Sequence, residues 1–279
     1  MSEPTQAGPA AAQPPAPASF TDPASASTAE PLIAELAALG PFFAALTHPD
    51  DAPPREPWRS MGELAHDPAV LGERIAAVRG FLAAGGGQRP DAVEERVAAS
   101  VAHLGLVARL VSPALAVAVL GGAAPTGVSL ARLRWQPTLG GPWPLSLPHS
   151  AVTVGADADA DADPERLADA LARHVLDGPV RELADAVAPW RVSPHILWGN
   201  TASALNGAAT MLAAARPASA ARVRAVTALL LDRPPLAGTS TTAAPPGRAF
   251  RRRSCCLIYR AAPDRAGALC GDCALDRPE

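Results

Sequence analysis

Residues 91–111, DAVEERVAASVAHLGLVARLV, carry the clearest amphipathic pattern in the chain. Val93, Val97, Val101, Leu104, Ala108 and Val111 recur at helical spacing, while Glu94, Glu95 and Arg96 lie off that stripe. The pattern predicts a helix whose apolar stripe faces a core. Ser112-Pro113 is expected to end it and to restart a shorter, wholly apolar helix that stops at Gly121-Gly122. A helix without a polar face is expected to be buried on all sides. The apolar run from Leu110 to Pro125 is interrupted by Ser112, Pro113, Gly121 and Gly122, short of the ~20 residues that span a bilayer, so no transmembrane segment is expected.

Working outward, helical patterning begins at Ala29 with Leu32, Leu36 and Leu39, and Gly40-Pro41 stops it. Residues 1–28 are mostly Ala, Pro, Ser, Thr and Gln with Phe20 as the one aromatic group, which reads as a disordered tail. After a proline-rich loop, residues 67–84 predict a helix with Asp67 as N-cap, Pro68 in the first turn and a stop at Gly85-Gly86-Gly87. From Gly127 to Ser150 the period changes. Val128, Ser129 and Leu130 begin an alternation that slips before Leu133 and Trp135 and returns at Trp143, Leu145 and Leu147, then Val152 and Val154. This predicts a small antiparallel sheet, with Pro144 and Pro148 pushing the middle strand to an edge.

Residues 156–163 alternate Ala and Asp without the turn-forming Gly of a calcium loop and read as a solvated segment. Asp163-Pro164 caps a helix through Leu167, Leu171 and Val175, broken at Asp177-Gly178-Pro179; further helices fit 180–188, 200–215 and 219–231. The fold class is therefore α+β, mainly helical, with a small antiparallel sheet and a cysteine-rich C-terminal segment. The organisation reads as tail (1–28), main helical domain (29–233), linker (234–247) and cysteine-bearing segment (248–279).

Of 279 residues, 48% are hydrophobic, enough for a sizeable core. Arginine supplies all 24 basic residues, and the net charge of −3 argues against a nucleic-acid partner. The first residues lack the basic and apolar regions of a secretory signal. The protein is accordingly expected in the cytoplasm, free or peripheral at the inner face of the membrane. There thiols stay reduced, and a cysteine group is more often metal-binding than disulfide-bonded.

The four cysteines, Cys255, Cys256, Cys270 and Cys273, fall within the last 25 residues as Cys-Cys, thirteen residues, Cys-x-x-Cys. Adjacent α-carbons about 3.8 Å apart lie below the usual disulfide range. Four thiolates suit a [2Fe–2S] cluster or a four-cysteine zinc site alike. The six histidines show no paired metal spacing; His103 and His174 lie beside core positions and are expected as satisfied core residues, and His195 adjoins the segment quoted next.

The stretch Arg252-Arg253-Ser254-Cys255-Cys256-Leu257-Ile258-Tyr259-Arg260, closing with Cys270-Gly271-Asp272-Cys273-Ala274-Leu275, resembles the C-terminal signature of the FhuF-like ferric-siderophore reductases. So does His195-Ile196-Leu197-Trp198-Gly199-Asn200-Thr201-Ala202-Ser203-Ala204-Leu205. The pairs stand farther apart here than is usual in that family, and residues 261–267 read as a surface loop that takes up the extra length. The resemblance implies that the four cysteines bind [2Fe–2S] and that the protein reduces siderophore-held Fe(III), hydroxamate type above all, by one electron. No nucleotide fingerprint appears, so a separate donor, a ferredoxin or flavoprotein, is expected.

Trp198, Asn200 and Arg253 are the candidate substrate contacts. The plainer reading of the first two makes Trp198 a core anchor, and Asn200 or Thr201 an N-cap. Arg251, Arg252, Arg253, Arg260 and Arg265 read either as a solvated basic surface or as a patch that tunes the cluster or docks an acidic donor. Two other functions remain open: an electron relay in siderophore metabolism, and a non-enzymatic helical protein stabilised by zinc.

Overall fold

In the computed structural model, which describes residues 23–152, 162–241 and 250–275, the 91–111 pattern opens into one central helix. Val93 is extended, and α4 runs unbroken from Glu95 to Gly121. The expected restart at Pro113 does not occur. Pro113 cannot donate to the turn below, but the side chains from Ser112 to Val119 are buried all round and this packing holds the axis. The Ser112 hydroxyl donates to the Ala108 carbonyl at 2.7 Å. α4 is long and apolar enough to cross a membrane, yet 72% of its most apolar window is buried inside the protein.

The expected stripe of α4 is only partly the deep one. Val101, Leu104 and Ala108 are half-buried, whereas Ala99, Ala102, His103, Leu106 and Leu110 on the opposite side are fully buried. Small residues there let α8 (Pro194–Ala215) pack closely along α4, with α3 (Pro68–Gly85) also against α4 and α9 (Ala220–Leu231) against α8.

Local signals fix the helix ends. Asp67 accepts a hydrogen bond from Ala69 N at 2.9 Å and caps α3, which stops at Gly85. Asp163 caps α6 (Pro164–Leu171) through Glu165 N at 3.3 Å. From there a wider π-type stretch, Ala172–Val180, leads into α7 (Arg181–Val187), and the expected break is a kink at Gly178. α1 begins at Pro23, six residues before the point where the pattern becomes helical, and ends at Ala38; Gly40 follows with φ +109°. The rest of the expected tail, and the Ala-Asp repeat up to residue 161, lie outside the described residues.

The small sheet has the order β1 (Leu46–His48), β4 (Leu145–Pro148), β3 (Arg134–Trp135), β2 (Arg59–Ser60). Its β4–β3 and β3–β2 pairs are antiparallel, and β1 adds in parallel. β4 is thus interior, not at an edge. Its prolines fall before and at the end of the strand, so Leu145, Ser146 and Leu147 pair freely and are buried. Val128–Leu130 is not a strand: the chain turns there, Arg132 N and Leu133 N donating to Ser129 O. Val152 ends a short helical turn, His149–Val152, instead of extending the sheet, and Val154 lies outside the described residues. Trp135 and Trp143 meet edge to face at 5.8 Å. Arg109, buried against the Trp143 ring at 5.5 Å, donates to the carbonyls of Trp143, Phe42 and Ala44.

Of the segment read as a linker, residues 234–241 pack against the domain. Leu236 is fully buried, and β5 (Ser240–Thr241) pairs antiparallel with β6 (Arg251–Arg252).

Candidate metal centre

The cysteine segment docks where α4 and α8 run side by side. β6 places Arg252 inward and leaves Arg253 exposed. Ser254 is buried and donates to the His195 carbonyl at 3.0 Å; an approach this close is possible because residue 199 is glycine. After the Cys-Cys pair, Leu257 adopts φ +71°, an uncommon conformation for a side-chain-bearing residue, and its N–H reaches Cys255 Sγ at 3.3 Å. A short helical turn, Ile258–Ala261, then packs on α4, and Gln88 donates to the Ala261 carbonyl. The chain returns through Arg252 N to Asp272 O (3.1 Å) and closes a turn with Cys273 N to Cys270 O (3.0 Å).

These turns bring the four thiols into one corner. Cys256 Sγ and Cys270 Sγ are 3.7 Å apart, Cys255 Sγ shares a hydrogen bond with Cys256, and Leu275 N donates to Cys273 Sγ at 3.4 Å. Cys256 and Cys273 are buried, while Cys255 and Cys270 are half-exposed, so the corner opens to solvent on one side. Among the described residues, no three His, Cys, Asp or Glu side chains converge as a single-ion site.

A buried network anchors the corner. Ser100 Oγ donates to Cys256 O at 2.9 Å, and Asn200 Nδ2 donates to Ser100 O at 3.0 Å. Asn200 Oδ1 accepts from Arg252 Nη1 at 3.1 Å. Arg252 Nη2 reaches both Cys270 Sγ and Asp272 Oδ1, the latter at 3.0 Å. Burial alone would pull the Arg252 guanidinium down, but the charges of Cys256 and Asp272 outweigh it and push it up. Cys256 is held down to about 5, first by the hydrogen bond from Cys255 and also by Arg252. Cys255 is pushed up by that same bond and by burial, and burial lifts Cys270 to about 12.

The remaining candidates do not form one wall. Asn200 and Thr201 are not caps: α8 starts six residues before Asn200, with Ser193 as N-cap, and both residues are fully buried inside it. Residues two apart on a helix point to opposite sides. Asn200 faces α4 and the tail, whereas the half-buried Trp198 lies under the Arg181 guanidinium at 5.2 Å. Arg253 is exposed; Arg260 and Arg265 are drawn to Glu94, the residue that precedes α4. His103 is buried as expected but both ring nitrogens lack a hydrogen-bond partner, and His174 is only half-buried.

Two open hollows lie elsewhere. One of about 480 Å³ follows α8 and α9 near Thr210 and Thr227, and one of about 500 Å³ lies by Arg173 and Arg233. Sequence reasoning missed Ser100, whose only signal is a hydroxyl on the small-residue side of α4. It also missed the buried pair His48 Nδ1–Ser146 Oγ at 2.7 Å, which joins β1 to β4.

No known protein family and no curated protein matches the chain.

Proposed function

We propose that this protein is a one-electron reductase of chelated Fe(III), with a [2Fe–2S] cluster on Cys255, Cys256, Cys270 and Cys273. The observation that carries the reading is the Cys256–Cys270 pair at 3.7 Å beside a buried guanidinium. Two thiolates on one tetrahedral metal, with bonds of about 2.3 Å, stand about 3.8 Å apart. A [2Fe–2S] centre asks for two such pairs, not four thiolates on one ion. Arg252 Nε is buried without a hydrogen-bond partner, which suits a cation placed against anionic sulfur. The Leu257 and Leu275 N–H groups aimed at Cys255 and Cys273 are the kind of sulfur hydrogen bond that iron–sulfur sites use.

When bound, such a cluster supplies single electrons. The half-exposed Cys255 and Cys270 edge gives a bulky chelate access without entry into the core. Hard oxygen donors grip Fe(III) more firmly than Fe(II), so one electron loosens the substrate, a ferric siderophore of hydroxamate type. The electron comes from an external ferredoxin or flavoprotein. The reaction belongs in the cytoplasm, where the thiols stay reduced.

Anaerobically purified protein should be red-brown with iron and acid-labile sulfide in equal amounts, and each Cys→Ser change should lose iron. Mixed with ferrioxamine-type chelates and an Fe(II) trap, reduced protein should reoxidise as trapped Fe(II) appears. A colourless zinc protein would sink the cluster assignment. A cluster that stays reduced against several siderophore classes would leave an electron relay instead.

A further inference from the structure

Arg252 differs from the other arginines of the tail. Its side chain is 1% exposed, and it sits between Cys270 Sγ, Asp272 Oδ1 and Asn200 Oδ1. The amide orientation of Asn200 is set from behind: Nδ2 donates to Ser100 O and Oγ at 3.0 and 3.1 Å, which leaves Oδ1 for the guanidinium. A neutral amide thus aims the cation at the sulfurs without cancelling its charge. Among the described residues Asp272 is the carboxylate in contact with Arg252; its side chain is 19% exposed and it offsets part of the guanidinium's charge, while the guanidinium is the group that bonds Cys270 Sγ.

We propose that Arg252, aimed by Asn200, is the positioning charge that sets the reduction potential of the cysteine site. The inference rests on the four cysteines holding [2Fe–2S]. An added electron makes an already anionic site more negative. A fixed cation in a water-poor setting stabilises the reduced form more than the oxidised one and raises the potential. Ser100 and Asn200 belong to the same device, since they hold the fork in place from α4 and α8.

The test compares iron-loaded full-length wild type with Arg252→Met, Arg252→Lys and Asn200→Asp by spectroelectrochemical titration, each normalised to bound iron. Arg252→Met should move the midpoint to more negative values. Asn200→Asp should move it the same way, because a second carboxylate beside the guanidinium offsets more of its charge. Arg252→Lys keeps the charge and should stay nearer wild type. Arg252→Met and Asn200→Asp proteins with full iron and a wild-type midpoint would overturn the proposal. Should Arg252→Met fail to load, Asn200→Asp decides alone. Metal analysis of the wild type comes first: zinc, or no iron, defeats the cluster reading itself, and the proposal with it.

Discussion

At the scale of single residues, one methyl group at position 199 probes the docking of the tail. A Cβ there would stand 2.2 Å from Ser254 Oγ, so the hydroxyl would have to rotate and give up its bond to the His195 carbonyl. Gly199→Ala is expected to cost about 1–2 kcal/mol. In a Ser254→Ala background the nearest atom would be the residue's Cβ, at an ordinary 3.6 Å, and the same change should cost little. A double-mutant cycle on urea midpoints measures the difference; additive costs would mean that the tail does not pack on α8 there. The four cysteines were legible because thiol chemistry is carried by residue type and spacing. The anchoring residues were not. Asn200 looked like a cap because an amide next to Gly is a common helix start, and only the Ser193-Pro194 start of α8 reveals it as an interior polar group. Ser100 and Arg252 matter through their shared partner Asn200, 100 and 52 positions away, a relation that no local pattern encodes.

Elements were legible where a terminus has its own chemistry. Asp67-Pro68 and Asp163-Pro164 start helices as read, since capping depends on neighbours within three residues. Strands of two or three residues, such as β1 and β2, are too short to show an alternation. The apparent apolar stripe of α4 misled for another reason: a central helix is packed on several sides, so burial follows its neighbours, and Ala99, Ala102 and His103 are buried while Val101 and Leu104 are half-buried. The start of α8 gives a test at this scale. Ser193 Oγ accepts from Ile196 N, so Ser193→Ala should cost about 0.5–1 kcal/mol. Thr201→Val exchanges a hydroxyl bonded to its own helix for a methyl group and should be near neutral. Thermal melts of both variants check the order; the reverse ranking would mean that α8 starts near Thr201.

For the whole molecule, two buried histidines tie stability to pH. Burial holds His48 down to about 4, with the Arg134 charge adding to it, and burial holds His103 down to about 3. In the unfolded chain both titrate near the ordinary value of 6.5. Between those values the unfolded state binds more protons than the folded one, so stability is complete above pH ~6.5 and falls as pH drops toward ~4. Each histidine contributes a slope of up to about 1.4 kcal/mol per pH unit in that window. Carboxylates join only lower down: Glu94, held below the usual carboxylate range first by the hydrogen bond from Arg260, loses its contribution as pH falls through its folded value. His48 bridges β1 to β4 through Ser146 and accepts no charge without disturbing that pair, and its other nitrogen faces the Arg132 carbonyl at 3.1 Å. His103 has no partner at either nitrogen and sits in the packed face of α4, so an apolar replacement there removes an unpaired polar group as well as a proton site. Urea midpoints measured from pH 7.5 to 4.5 should hold down to pH ~6.5 and then fall for the wild type. His103→Leu should flatten that fall by about half without lowering stability at pH 4.5. An unchanged pH slope in His103→Leu would show that the histidine is already solvated in the folded protein.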